Sequence, residues 1–265
     1  MPQICIEAPF QTSFEIITNC DKLVDSLKLK YGEYSKSEYV AADYIICAKK
    51  RKEDYEIIFN SEVFITKYPL RKIIDIMYEN RRYSEKIFAI HGAAVEFNGG
   101  GYLFVAATTS GKTTLTAYLV NKGFGYITDD CILLEKETFN IFPFTTPIHL
   151  RGGGFDILKS LGSEPKEYSF LDDISIKRYI YMPTNKINKL LPIKKLFFIE
   201  RTENKNHIEK MSTNEKITAL LKSPITEYKM NVDFLNFISK LSTLPCEKLY
   251  YSDMDFVAKV IKNGQ

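Results

Sequence analysis

The sequence has little of what marks several common classes of protein. No apolar run approaches the roughly 20 residues that a helix needs to cross a bilayer. The N-terminus has no basic segment followed by an apolar core, so a signal peptide is not expected. The formal net charge of +3 over 265 residues is too small to indicate nucleic acid as a partner. We therefore expect a protein that acts neither in a membrane nor on nucleic acid.

Cysteine is also sparse and without a pattern. The chain has five cysteines, an odd number, and no two of them have the spacing of a metal site or a redox motif. Such cysteines are typical of reduced, mostly buried thiols, so we expect a cytoplasmic protein. The five are Cys5, Cys20, Cys47, Cys131 and Cys246.

The chain does have ample apolar sequence for a buried core, at 45% hydrophobic residues. The pattern predicts two domains, a smaller mixed α+β domain over residues 1–85 and a second domain over residues 86–265. In the first domain, short β-type runs are separated by turns such as Asn60-Ser61, and Pro69 opens a helix. Two amphipathic helices are expected to close the second domain. Their apolar residues are Ile217, Leu220 and Leu221 in one helix and Phe234, Leu235, Ile238 and Leu241 in the other.

The most informative segment runs from Ala106 to Thr114. An apolar run beginning at Tyr102 leads into it, and a helical pattern from Leu115 to Lys122 leads out, which is the strand, loop and helix context of a phosphate-binding P-loop. Consecutive backbone N–H groups and a helix N-terminus would face a polyphosphate there. Ala106 stands where such a loop has its first glycine, so a tight turn without a ligand is the alternative. The predicted nucleotide-binding residues are Ala107, Thr108, Thr109, Ser110, Gly111, Lys112, Thr113 and Thr114.

Four polar side chains in and after this segment have specific expected roles. Lys112 would place a positive charge at the β- and γ-phosphates, and Thr113 would bring a hydroxyl to Mg²⁺. Asp129 and Asp130 follow a short strand directly after the loop's helix, where the carboxyl ends of neighbouring parallel strands converge on a ligand crevice. One aspartate could hold Mg²⁺ while the other accepts a proton. A pair of turn aspartates is the alternative.

Two further residues could reach the same edge of the sheet. His91 precedes the strand that is expected to pair with the strand entering the loop, and a neutral imidazole there could orient a carboxylate. Arg151 could stabilise charge on a transferred phosphoryl group. A structural histidine and a surface arginine are the alternatives. The glycine run Gly152–Gly154 is expected to form a mobile loop beside the site.

Together these residues resemble the catalytic domain of HPr kinase/phosphorylase. The resemblance rests on His91-Gly92, on Ala106–Thr114 and on the run from Gly123 to Asp130, and it continues more loosely through Leu150–Gly154. It implies an α/β fold with a P-loop domain of the HPr-kinase and phosphoenolpyruvate-carboxykinase type, a smaller mixed α+β N-terminal domain and C-terminal helices. The layout looks more like the HPr-kinase-like proteins found beside peptide-modification genes.

The resemblance also implies roles for single residues. Asp130 would be the catalytic base that takes the proton from an acceptor serine, with His91 supporting it. Lys112 would bind the phosphates of ATP or GTP. Thr113 would bind Mg²⁺, and the pair of aspartates itself adds Asp129 as a metal residue.

The sequence departs from that family in three respects. Ala106 and Thr109 replace loop glycines, and His149 stands where the family has a metal-binding glutamate. The family's proline-glycine-arginine segment is absent, so HPr itself is not the expected substrate. The expected activity is phosphoryl transfer to a serine of a peptide or small protein, with a homo-oligomer left open. A nucleotide-binding regulatory protein without transfer activity, or a kinase for a small molecule such as free serine, is the alternative.

Overall fold

Short apolar runs bounded by turn residues form the many strands of the computed structural model. Its elements cluster into two units, residues 1–85 together with 166–180, and residues 86–165 together with 181–265. The structure describes residues 2–8, 12–36, 41–81, 87–107, 110–172, 177–223 and 232–264.

Within these ranges, runs of strands are separated by single helices or a pair of helices. The strands are β1 (Gln3–Ala8), β2 (Thr12–Thr18), β3 (Ser35–Lys36), β4 (Tyr44–Lys50), β5 (Tyr55–Phe59), β6 (Glu62–Thr66), β7 (Ile87–His91), β8 (Ala93–Phe97), β9 (Gly100–Val105), β10 (Gly125–Thr128), β11 (Cys131–Glu135), β12 (Ile141–Phe142), β13 (Ile148–Leu150), β14 (Lys166–Tyr168), β15 (Arg178–Tyr181), β16 (Ile193–Arg201), β17 (His207–Lys210) and β18 (Cys246–Tyr251). The helices are α1 (Asp21–Tyr31), α2 (Pro69–Arg81), α3 (Lys112–Asn121), α4 (Gly152–Ser160), α5 (Thr213–Leu221), α6 (Val232–Ser242) and α7 (Met254–Asn263). In the part of the chain that the structure describes, no helix is both long and apolar enough to span a membrane.

The first unit is a six-stranded sheet with two helices packed on it. Its strand order is β3-β1-β2-β4-β5-β6, and only β2 and β4 pair in parallel among these neighbours. Asn60 and Ser61 both have positive φ, which is the backbone of the tight hairpin turn that was predicted between β5 and β6. Helix α2 begins at Pro69, as predicted.

A distant segment of the chain completes this unit. Asp172 accepts hydrogen bonds from the backbone N–H groups of Leu70 (3.4 Å) and Arg71 (2.8 Å), which are two of the donors that a helix leaves unpaired in its first turn. The N–H of Leu171 donates to the Ser26 hydroxyl at 2.9 Å. Asp172 therefore caps α2, and Leu171 contacts α1, which ties this segment to the first unit.

Replacing Asp172 with alanine is expected to loosen the start of α2, because a lost side-chain cap costs roughly 1 kcal/mol. Hydrogen exchange should become faster at the amides of Leu70 and Arg71. Asp172→Asn is the matched control, since its amide oxygen still accepts a hydrogen bond and most of the protection should remain. Equal exchange rates in Asp172→Ala and wild type would contradict the capping role.

In the second unit, the larger sheet brings four strand ends to one edge. Its strand order is β10-β8-β9-β16-β18-β17. Strands β9, β16 and β18 are parallel, and β8 is antiparallel to both β9 and β10, so β10 runs in the same direction as β9. The carboxyl ends of β9, β10, β16 and β18 therefore lie together. This edge, called the site edge below, is marked by Val105, Thr128, Arg201 and Tyr251.

The core of this unit lies between the larger sheet, a three-stranded sheet of β7, β11 and β12, and helices α5 and α6. The side chains of Phe88, Leu103, Ile132, Leu196 and Phe237 are among its buried members. The core holds strands of both sheets in place. The strand ends at which the site-edge loops begin are therefore fixed in position.

The mixed α/β class that the sequence predicts is confirmed by these sheets and helices. Helices α5 and α6 lie where they were expected, but they do not close the chain, because β18 and α7 follow them. The correction matters for the site, since β18 enters the sheet beside β16 and ends at the site edge.

Candidate active site

The loop between β9 and α3 begins at the site edge. Thr108 and Thr109, both predicted to bind a nucleotide, lie outside the described residues. The N–H of Ser110 donates to the carbonyl of Ala107 at 3.4 Å. Gly111 has a φ of 90° and is the N-cap of α3, a left-handed conformation that glycine adopts without strain. A tight glycine turn thus leads from the buried strand into the helix.

Lys112, the first residue of α3, points back into this loop. It is buried, with 6% of the residue exposed. Its Nζ donates to the carbonyls of Ala106 (2.8 Å) and Ala107 (3.0 Å). Burial lowers the pKa of the Lys112 ammonium, while the negative charges of Asp129 and Asp130 act in the opposite direction. The loop therefore encloses a positive charge that interacts electrostatically with both aspartates.

Asp129 and Asp130 follow β10 in different surroundings. Asp129 is buried, with 9% of the residue exposed, whereas 48% of the Asp130 side chain is exposed. The Thr128 hydroxyl donates to the carbonyl of Cys131 at 2.9 Å and closes the turn that carries both residues. One carboxylate is thus enclosed by protein, and the other is open to an incoming molecule.

His91 contacts the exposed aspartate. The antiparallel register of β7 and β11 places His91 opposite Cys131, next to Asp130. His91 Nδ1 lies 3.1 Å from the backbone oxygen of Asp130 and 3.5 Å from its Oδ1. Because both neighbours are acceptors, the proton of a neutral imidazole belongs on Nδ1. The backbone N–H of His91 donates to the carbonyl of Ser223 at 2.7 Å, which fixes the position of the strand end.

Gly92 makes this contact sterically feasible. Its N–H donates to the carbonyl of Asp130 at 3.4 Å. A β-carbon on Gly92 would lie 2.8 Å from the backbone oxygen of Phe104 and 2.6 Å from Ile132 Cδ1. The Ile132 side chain could move away, but the Phe104 carbonyl belongs to a central strand. A side chain at this position would therefore force the backbone of a central strand to shift.

The first turn of α3 packs beside α4. Thr113 and Thr114 are half-buried, and a β-carbon on Gly154 would lie 3.1 Å from Thr114 Oγ1. The run Gly152–Gly154 was expected to be a mobile loop, and this was wrong. It forms the first turn of α4, with Arg151 as an exposed N-cap. Because Gly154 has no β-carbon, α4 can pack closely against α3. This packing explains why Gly152–Gly154 is helical although glycine is a poor helix former.

Two residues that the sequence analysis did not single out also lie beside the loop. A β-carbon on Gly111 would lie 3.1 Å from the hydroxyl oxygen of Tyr251 and 3.8 Å from Cδ of Arg201. Arg201 and Tyr251 are register partners at the ends of β16 and β18. In the sequence, Arg201 comes shortly after the apolar run Leu196–Ile199, which is a signal for a residue near the end of a buried strand. This signal did not place Arg201 at the site, because the pairing of β16 with β9 and β18 is not visible in the sequence.

The site edge offers oxygen ligands that fit Mg²⁺. Thr113 supplies a hydroxyl and Asp129 an enclosed carboxylate. Mg²⁺ is commonly held by one or two protein oxygens together with substrate phosphates and water, so this donor set suits it. Among the described residues, no group of three or more His, Cys, Asp or Glu side chains is arranged to hold a metal ion. Thr113 and Asp129 would hold Mg²⁺ together with further oxygens, such as those of substrate phosphates and water.

Comparisons with known proteins give a distant structural likeness. No protein-family model and no curated protein sequence matches the chain. Among solved structures, the chain is similar to the Hpr(Ser) kinase/phosphatase from Coxiella burnetii, with 14% sequence identity and a TM-score of 0.34. The likeness covers 66% of this chain and 95% of the other. At that level it assigns no family, and the proposal below rests on the geometry of the site.

Gly92→Ala is expected to destabilise the second unit by about 1 to 3 kcal/mol, because the added methyl group overpacks a contact with backbone. Urea unfolding measures the change. Gly153→Ala is the matched control, since no atom outside its own helix and chain neighbours lies within 4 Å of a β-carbon there, and alanine favours a helix over glycine. An unchanged unfolding midpoint for Gly92→Ala would show that the strands around residue 92 can accommodate a methyl group without loss of stability, and it would contradict the prediction.

Proposed function

We propose that this protein is a kinase that transfers the γ-phosphoryl group of ATP, with Mg²⁺, to a serine hydroxyl of a peptide or small protein. One observation supports this above all. The same sheet edge holds a lysine enclosed in a strand-to-helix loop and an exposed aspartate in contact with a histidine. A polyphosphate needs the first of these, and a hydroxyl acceptor needs the second.

The loop is the phosphate end of the proposed site. Backbone N–H groups at the start of α3 and the positive end of its helix dipole favour an anion there. The Lys112 ammonium donates to two backbone carbonyls. A polyphosphate would offer it charged oxygens instead, which form stronger hydrogen bonds than neutral carbonyls. The predicted contacts of Thr108, Thr109 and Thr114 belong to the same proposal.

Asp130 is the acceptor end of the proposed site. One of its carboxylate oxygens would take the proton of the serine hydroxyl while the serine oxygen bonds to the γ-phosphorus. The bond from that phosphorus to the bridging oxygen breaks, and ADP leaves. His91 would act as a positioning residue, because its Nδ1 contact directs the carboxylate. The exposure of Asp130 favours a peptide or protein acceptor over a small molecule in a closed pocket.

The remaining predicted residues would stabilise the phosphoryl group during its transfer. Thr113 and Asp129 would hold Mg²⁺, which supplies neutralisation of charge on the β- and γ-phosphate oxygens when it is bound. Arg151 is exposed at the N-cap of α4 and would approach the transferred group from the side of Thr114. A regulatory protein that only binds nucleotide is the competing proposal, and the Asp130 variants separate the two.

Asp130→Asn is expected to lower the rate of phosphoryl transfer by about 10² to 10⁴-fold, the usual contribution of a general base. The measurement is transfer of labelled phosphate from ATP to serine-containing peptides. ATP affinity, measured by titration calorimetry, should change little, because the amide has almost the same shape. Asp156→Asn, at an exposed position of α4, is the control. ATP binding without any transfer by the wild-type protein would favour the regulatory protein.

Lys112→Met is expected to weaken ATP binding by roughly ten- to a hundredfold, the loss of a hydrogen bond to a charged group. The pKa of Lys112 is lowered, so wild-type affinity should fall as pH rises into the alkaline range, at a lower pH than an exposed lysine would give. That pH dependence should be absent in Lys112→Met. Lys122→Ala, at the other end of α3, is the control, and an unchanged affinity in Lys112→Met would exclude a phosphate role for this lysine.

A further inference from the structure

Resting on the proposed function, we infer that Arg201 binds the phosphate chain of the nucleotide from the side of β16, and that Tyr251 holds its side chain against the loop. The resemblance to known kinases in the sequence did not include either residue. The inference rests on strand register, on contacts with Gly111 and on the charges around the Arg201 guanidinium.

The strand register carries Arg201 past the end of β9. The last pair between β16 and β9 is Phe198 with Val105. β16 continues for three more residues to Arg201, and at about 3.3 Å per residue this is roughly 10 Å beyond the end of its neighbour. β9 has by then become the loop. Arg201 is consequently level with the loop and not with the strand that precedes it.

The contacts place the Arg201 side chain at the start of α3. Its Cδ, the last carbon before the guanidinium, lies 3.8 Å from where a β-carbon of Gly111 would be. The Tyr251 hydroxyl lies on the same side, at 3.1 Å from that point. Tyr251 itself is buried. The guanidinium therefore starts at the N-cap of the helix, where a phosphate would meet the first N–H groups.

The charges around Arg201 favour an anion at this point. Arg201 is exposed, and among the residues that the structure describes no carboxylate forms an ion pair with it. The adjacent Glu200 is bound to Lys248 at 3.0 Å. A guanidinium beside the positive end of a helix dipole is repelled by it unless a negative group lies between them. A phosphate chain would supply that group and would match the fork of donors that arginine presents.

Tyr251 is a neutral partner in this arrangement. Burial raises the pKa of its hydroxyl to about 12, although the positive charge of Arg201 acts to lower it. The phenol therefore remains protonated at physiological pH. An uncharged, buried ring can support the Arg201 side chain without competing for the phosphate as an anion would.

The test is titration calorimetry of ATP with Mg²⁺ against Arg201→Ala, Arg201→Lys and the control Lys194→Ala. Lys194 is exposed near the opposite end of the same strand. Arg201→Ala should weaken ATP binding by about tenfold or more, from loss of a charged hydrogen bond. Arg201→Lys should keep part of the affinity, because it retains the charge and loses the fork. Lys194→Ala should bind as wild type does.

Thermal unfolding without nucleotide separates this role from a structural one. Removal of the repelled guanidinium should leave the unfolding temperature of Arg201→Ala unchanged or slightly higher, while the stabilisation by added ATP becomes smaller. Tight ATP binding by wild type and an equal affinity in Arg201→Ala would overturn the inference and leave the kinase proposal standing. No ATP binding by the wild-type protein would overturn both.

Discussion

The close approach of Gly92 to the backbone of Phe104 is the constraint on which the proposed site depends. At this point the chain leaves the small sheet through β7 and enters the large sheet through β8. Because the crossing residue has no β-carbon, the two strands meet within van der Waals distance of β9. The same crossing holds His91 against Asp130 and binds Gly92 to the Asp130 carbonyl. A bulkier residue at position 92 would contact Phe104 and Ile132, and the resulting shift would move His91 away from Asp130.

Around this crossing, the parallel strands divide the proposed chemistry between them. The loop after β9 encloses Lys112, and the turn after β10 carries one buried and one exposed aspartate. The end of β16 supplies Arg201. The enclosed Lys112 would suit a phosphate chain, and the more exposed Asp130 carboxylate would suit an acceptor that arrives from solvent. The difference in burial between Asp129 and Asp130 would separate the two proposed functions within two consecutive residues.

Local sequence signals predicted those parts of the structure that local interactions determine. The Asn60-Ser61 turn, the start of α2 at Pro69, and the strand, loop and helix around Lys112 were all recognisable because backbone chemistry acts over a few residues. The sequence analysis did not predict β18, because its sequence mixes charged and apolar residues. This segment is a strand because it pairs with β16 and β17. The glycines that open α4 were misread because packing against α3 outweighs their low helix propensity. Arg201 was missed because strand register has no local signature.

The cap on α2 has a consequence for how the protein is made. Asp172 leaves the ribosome 101 residues after Arg71, whose N–H it accepts. At about 5 to 20 residues per second, the first unit waits roughly 5 to 20 seconds for the segment that completes it. During that interval α3 and the aspartate turn are synthesised, so part of the second unit is made before the first unit is complete. A fragment that ends at residue 85 would therefore lack the group that caps α2.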